Sequence, residues 1–160
     1  MIFVTVGTQF PFDRLIEAVD RAVEAGRITD EVFAQTGEAA YTPRHFPAAP
    51  SLEKDAFDEY VSRATGIISH AGIGSMTMAM AWSKPMLVMP RLARYGEVVN
   101  DHQVAIARQF SKSGYVLFAA DERELLEKVI ELPFFVPRPR IAQREAVSRR
   151  VVEFLNELTV

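Results

Sequence analysis

One segment restricts the possible folds more than any other. Gly66-Ile-Ile-Ser-His-Ala-Gly-Ile-Gly-Ser75 leads into an apolar, helix-like stretch, then Lys84-Pro85-Met-Leu-Val-Met-Pro90, then Asn100-Asp-His-Gln103. It reads as strand, glycine turn, helix, strand, and a polar cluster opening another helix. Two strands joined through a helix must run parallel, with helices covering the sheet. Ligands of such sheets lie beyond the carboxyl ends of the strands, near a topological switch point. Glycines let the backbone approach a ligand, and the helix that follows offers unpaired N–H groups and the positive end of its dipole. The segment therefore predicts an anion pocket and a phosphorylated ligand.

The rest of the chain repeats the alternation. Ile2 to Val6 is β-branched and aromatic, a buried strand, and Gly7-Thr8 opens its turn. A helix is expected from about Phe12, with Leu15, Ile16, Val19, Ala22 and Val23 on one face and Gly26 at its end. Glu31 to Gln35 reads as a second strand. Residues 38–52 hold Pro43, Pro47 and Pro50, so they read as loop, with one short strand around Tyr41. Ser51 is the candidate cap of a helix carrying Phe57, Tyr60, Val61 and Ala64. Further elements are a helix over Ser75 to Ser83, a strand over Met86 to Met89, and a helix over Asn100 to Lys112 ended by Gly114. A strand over Tyr115 to Phe118 follows, then a helix from the Asp121 cap to about Glu131, a linker over 132–139, and a final helix over 140–158. No internal repeat interrupts the series.

Bulk properties exclude several classes. The 160 residues suit one domain with a sizeable core, expected to span the whole chain. A net charge of −3 gives no basic surface for nucleic acid. The absence of cysteine removes disulfides, thiolate metal sites and a cysteine nucleophile. No apolar run reaches the ~20 residues that span a bilayer, and the first residues lack the basic start of a signal peptide. The expected location is the cytoplasm, with membrane contact only through a partner or a surface patch.

Each motif has a plainer reading. His70-Ala-Gly-Ile-Gly-Ser75 can be a tight turn without a ligand. It lacks the third glycine and the first-unit position of a dinucleotide fingerprint, and no Walker pattern exists, so NAD, FAD and P-loop chemistry are disfavoured. Asn100 or Asp101 can be simply a helix cap. That explains one residue of the four, and Asn100, Asp101, His102 and Gln103 together suit sugar hydroxyls and a phosphate. His102 has no carboxylate–histidine spacing around it, so no metal is expected. Arg91 and Arg94 can contact a phosphate or a donor carboxylate. The competing and stronger reading is a solvated loop, since surface arginine is common. Met76, Met78 and Met80 read as packing of a buried helix. Phe134-Phe-Val136 reads as a seal over the core, or a docking patch. His45 has no chemical role.

At this point the residues resemble a known family. His70 to Ser75, Lys84-Pro85 and Asp101 to Gln103 are similar to the C-terminal, nucleotide-sugar-binding domain of GT-B glycosyltransferases of family 28. Phe3-Val-Thr-Val-Gly-Thr8, Phe12-Asp-Arg-Leu-Ile16 and Val32-Phe-Ala-Gln-Thr-Gly37 extend the resemblance over nearly the whole chain. It resembles most the small subunits of two-subunit transferases: the eukaryotic dolichol-linked UDP-N-acetylglucosamine transferase and the bacterial exopolysaccharide β-1,4-glucuronosyltransferase. Pro90 to Glu97 looks more like the bacterial branch.

The resemblance implies a single Rossmann-like α/β domain, the C-terminal half of a GT-B enzyme. It implies that Gly72, Gly74 and Ser75 hold a diphosphate with His70 beside it. Asp101 and Gln103 would face the sugar, and Gly7 and Thr8 would line the cleft floor. It implies a UDP-sugar donor, glucuronate as first guess, and no metal or other cofactor, in keeping with the lack of an Asp-x-Asp sequence. A polyprenyl-diphosphate-linked acceptor would come through a membrane-anchored partner subunit that completes the active site at the inner membrane face. No catalytic base is assigned. One position departs from the pattern: many members carry a ribose-binding Glu where this chain has Met78. Either ribose is recognised from elsewhere or nucleotide binding is weakened. The alternative function is a non-catalytic nucleotide-sugar or scaffold subunit. A UDP-sugar epimerase would need a second domain.

Overall fold

The computed structural model describes residues 1–8 and 10–139. β1 (Ile2–Thr5) is buried along its whole length, as expected of a strand covered on both faces. It pairs in parallel with β2 (Val32–Gln35) and with β4 (Gly66–His70). β3 (Ala48–Ala49) extends β2, while β5 (Met86–Met89) and β6 (Leu117–Phe118) extend β4. The resulting six-stranded parallel sheet has the order β3-β2-β1-β4-β5-β6. The order reverses between β1 and β4, which is where an open α/β sheet leaves a crevice. Thr5 lies level with Gln35 and Ser69, so the turns after these strands emerge side by side.

Alternating side chains divide the core into two layers. Val4, Val6, Ile68, Leu87 and Met89 pack beneath α1 (Asp13–Glu24) and α5 (Glu122–Lys128). Phe3, Ile67, Met86 and Val88 meet α2 (Lys54–Arg63), α3 (Ile73–Ala81) and α4 (His102–Lys112). On that face Tyr60 stacks on Phe33 at 4.1 Å and on Phe3 at 5.6 Å. Gly26 and Gly114 lie at positive φ just past the ends of α1 and α4, as terminating glycines do. The Asp121 carboxylate accepts from the Glu124 N–H at 2.9 Å and caps α5.

Several boundaries differ from the sequence reading. α3 begins at Ile73, because extended Gly72 is its cap, and ends at Ala81. α2 begins at Lys54, and Ser51 lies outside it. α4 begins at His102, after Asp101. Residues 115 and 116 precede the short β6. No strand forms at Tyr41. The pairing with β2 occurs at Ala48–Ala49, while side-chain bonds tie down the 41–45 loop. The expected linker starts inside a 3-10 helix, Val129–Phe134, whose Leu132 is fully buried against Gly66. The final helix over 140–158 lies outside the described residues. Among the described residues no helix is long and apolar enough to cross a membrane.

The 41–45 loop is held by one carboxylate. Asp20 on α1 is 2% exposed and accepts from the N–H groups of Arg44 and His45, the Tyr41 hydroxyl and the His45 ring. Burial alone would raise its pKa. The bonds from Arg44, Tyr41 and His45 outweigh burial and hold it below the usual value of 3.8. Asp20→Ala should therefore destabilise the protein by roughly 2–4 kcal/mol near neutral pH, because several partly buried donors lose their shared acceptor. A lowered folded-state pKa gives stability that is complete above the unfolded pKa and lost as pH falls through the folded one. Urea unfolding at a series of pH values should show the wild-type–mutant gap closing only below about pH 4.

Candidate functional site

The turns after β1 and β4 open into a cavity of about 770 Å³ at the switch point. Its walls come from several segments at the sheet edge: Thr5 to Thr8, Gln35, His70, Gly72 to Ser75, Arg91, and His102 and Gln103 of α4. Lys54, Phe57 and Met78 close one side. The parallel register accounts for this convergence, since each contributing segment leaves its strand at nearly the same level.

His70 sits between two glycine turns. A Cβ on Gly72 would lie 2.3 Å from its Nε2, and one on Gly7 would lie 3.0 Å from its Cε1. Gly7 has φ +74° and Gly37 has φ +59°, a left-handed region that favours glycine. A Cβ on Gly37 would also come within 2.9 Å of the Gly7 carbonyl oxygen. The glycines thus allow three chain segments and an imidazole to share the crevice floor. Burial is the main cause of a His70 pKa lowered to about 4, the Arg91 charge adds to it, and a bond to the Thr5 carbonyl opposes it.

Below the turns lies a chain of directed hydrogen bonds. The Thr5 hydroxyl donates to Gln35 Oε1 at 2.9 Å, and its oxygen accepts from the Gly7 N–H at 3.4 Å. The Ser69 hydroxyl donates to the Thr5 carbonyl at 2.6 Å. Gln103, 7% exposed, receives the Arg91 N–H on its Oε1 at 3.1 Å. Both amides have committed their oxygens, so their NH2 groups are the donors left for a ligand.

Arg91 corrects the solvated-loop expectation. It is 3% exposed, its Nη2 donates to the Val6 and Phe10 carbonyls at 2.7 and 2.6 Å, and its guanidinium lies over the Phe12 ring. Its bonds go to main-chain oxygens and not to a carboxylate. Burial lowers its pKa to about 10, against the raising effect of Glu97. At that value it stays a cation at neutral pH. Arg94 remains on the surface over Tyr95 and lines a separate cavity of about 200 Å³ with Asp101 and Arg108.

Of the residues proposed from sequence, Gly7, Thr8, His70, Gly72, Gly74, Ser75, Arg91, His102 and Gln103 line the main cavity. Asn100 and Asp101 do not. Asn100 Oδ1 accepts from the His102 N–H at 3.2 Å, and Asp101 accepts from the Ala93 N–H at 2.7 Å. Thr5, Gln35, Ser69 and Lys54 join the site without having been singled out. Their signal was positional: each lies at the end of a strand or at the start of a helix facing the crevice.

A further support was also missed. Arg14 at the start of α1 binds Glu97 through two bonds of 2.8 and 2.9 Å and donates to the Pro90 carbonyl, while Glu97 accepts from the Leu92 N–H. This clasp fixes the path of the chain after β5 and therefore the entry of Arg91.

The geometry has counterparts among known proteins. The chain is 30% identical to the human UDP-N-acetylglucosamine transferase subunit ALG13 over 126 residues, 73% of this chain and 11% of that protein. It is 35% identical to the Cryptococcus neoformans protein of the same name over 106 residues, 62% of this chain and 50% of that one. The chain thus spans half or less of these relatives' length. A solution NMR structure of ALG13 superposes with a TM-score of 0.63 at 18% identity, covering 95% of this chain and 94% of that one. The crystal structure of Acinetobacter baumannii MurG gives 0.57 at 18% identity, covering 97% of this chain and 49% of that one. At such identities the superpositions speak for the fold, that of one half of a GT-B enzyme. The model of the glycosyltransferase family 28 C-terminal domain matches residues 1–153, and the chain belongs to that family.

Proposed function

We propose that this chain is the donor-binding subunit of a two-component glycosyltransferase that takes its sugar from UDP. The observation that carries the reading is the charge of the cavity. Among the described residues its lining includes Arg91, Lys54 and the amino end of α3, and no aspartate or glutamate. Lys54 pairs with Asp58 on its own helix, while Arg91 is a buried cation beneath the crevice whose Nε has no partner among the described residues. A diphosphate would rest on the Gly72–Ser75 turn, with leaving-group charge stabilised by N–H groups and Arg91 and without a metal. Glucuronate is the first choice of sugar, and a polyprenyl-diphosphate-linked saccharide of exopolysaccharide synthesis the acceptor. A membrane-anchored partner at the inner face would supply the acceptor side and the catalytic base. Phe10 and Ile73, 43% and 53% exposed where they line the cavity, give such a partner an apolar rim to cover.

Titration calorimetry with UDP, UDP-glucose, UDP-glucuronate and UDP-N-acetylglucosamine tests the reading, with and without the co-purified partner. Binding of at least one UDP-sugar is expected, and sugar transfer only with the partner. Transfer at full rate by the chain alone would sink the two-component reading.

A second reading, a scaffold subunit without donor binding, is favoured by Met78, which gives the cavity a thioether where many relatives carry a carboxylate. Undetectable UDP-sugar binding even with the partner present would select it. Met78→Glu should tighten UDP binding by roughly three- to tenfold, the effect of one added hydrogen bond. An unchanged affinity would mean that ribose does not reach this wall.

A further inference from the structure

His70 presents the cavity with a nitrogen whose role follows from its neighbours. The Ser69 hydroxyl has one proton, and that proton is given to the Thr5 carbonyl at 2.6 Å. The Ser69 oxygen lies 3.2 Å from His70 Nδ1 and can therefore only accept from it. Nδ1 carries the proton, and in the neutral ring Nε2 is then a bare lone pair. Among the described residues Nε2 has no hydrogen-bond partner, and Arg91 Nε is the sole side-chain polar atom both buried and unpaired. Nε2 therefore reaches the cavity surface, beside the Gly72 turn.

We propose that His70 acts in this site as a neutral Nδ1–H imidazole whose bare Nε2 accepts a hydrogen bond from a hydroxyl or N–H of the bound sugar nucleotide, and does not donate to a phosphate. The assignment rests on the donor-binding reading above. A phosphate oxygen has no proton to give, so it would meet the lone pair unfavourably unless the ring became an imidazolium. The surroundings oppose that change. Among the described residues, the charged and titratable side chains that line the cavity with the ring are Arg91 after β5, Lys54 on α2 and His102 on α4, and the turns after β1 and β4 bring none besides His70 itself. Arg91 and Lys54 are cations, and none of the three is an acid. The oriented ring resembles a general base, but among the described residues the Ser69 hydroxyl, and no carboxylate, stands behind Nδ1. With a pKa near 4 it takes a hydrogen bond more readily than a proton. His70 thus selects the ligand, and deprotonation of the acceptor falls to another group.

Two measurements on the full chain decide the matter. Long-range 1H–15N NMR of the ligand-free protein should show Nδ1 protonated and Nε2 bare between about pH 6 and 8, and a bare Nδ1 would overturn the assignment. Calorimetry with UDP-glucose, whose diphosphate does not titrate in that range, should show no proton uptake across buffers of different ionisation enthalpy. Affinity should be flat with pH. Uptake of one proton, with affinity rising up to about tenfold per unit fall in pH, would remove this proposal while leaving donor binding intact. Absence of any UDP-sugar binding, with or without the partner, would remove both. His70→Gln, which keeps an acceptor, should bind UDP-glucose within about threefold of wild type, and His70→Leu about tenfold more weakly. Equal losses in the two folded variants would count against the acceptor role.

Discussion

Gly72→Ala should weaken UDP-sugar binding by roughly ten- to a hundredfold, while Gly74→Ala should leave the fold intact or slightly more stable. The two glycines are separated by Ile73 alone in the same turn, so the contrast isolates what each does. Gly72 has φ −81°, which any residue adopts, and the objection to a side chain there is one of space alone. Its Cβ would fall 2.3 Å from His70 Nε2. The ring cannot swing aside freely, because Gly7 confines its other edge and Ser69 holds Nδ1. Overpacking of this kind costs about 1–3 kcal/mol and displaces either the imidazole or the turn. Gly74 lies inside the first turn of α3 with nothing within 4 Å of an added Cβ. Alanine there gains roughly 0.5–1 kcal/mol of helix stability, yet a methyl would stand where the diphosphate approaches the N–H groups. Thermal unfolding and UDP-glucose titration of both variants check this. Retention of full affinity in Gly74→Ala would place the diphosphate off this turn.

The outcome bears on what a sequence reveals of such a site. The β4–α3–β5 unit was legible because four-residue apolar runs alternate with glycine and with helical spacing, and local sequence decides those features. The crevice was legible for the same reason: the strand ends are brought level by sheet geometry. Ser51 misled as a helix start because the chain remains extended through Glu53, and Asp20, about twenty residues away, determines the loop before it. Asn100 turned out to serve the start of α4, the plainer of its two readings. The burial of Arg91 could not be read locally at all. It depends on the Phe12 ring, on carbonyls of the β1–α1 turn and on the Arg14–Glu97 clasp, all of which are distant in sequence. A basic residue after a strand looks the same whether it points to solvent or to the crevice floor.

Arg91→Ala is expected to cost both stability and donor affinity, and the way the losses divide identifies the anion it serves. Its Nη2 joins the Val6 and Phe10 carbonyls, which bracket the β1–α1 turn, so its removal leaves two acceptors without a charge-assisted partner. A loss of about 2–3 kcal/mol in urea unfolding is expected. Lysine should not restore it, since a single ammonium on a flexible stem does not reproduce the planar fork. For binding, one charge-assisted contact corresponds to a loss of about ten- to a hundredfold. If the guanidinium faces the diphosphate, UDP-glucose and UDP-glucuronate should weaken equally, and the proposal of a glucuronate donor would lose the contact suggested for its carboxylate. If it reads a uronate carboxylate, UDP-glucuronate should weaken further than UDP-glucose by a similar factor again. NMR of the same variant gives an internal check: the Arg91 charge is one cause of the low His70 pKa, so its removal should move the His70 titration upward. An unmoved His70 would show that the guanidinium and the imidazole do not share one field, and the crevice could not then act as a single anion site.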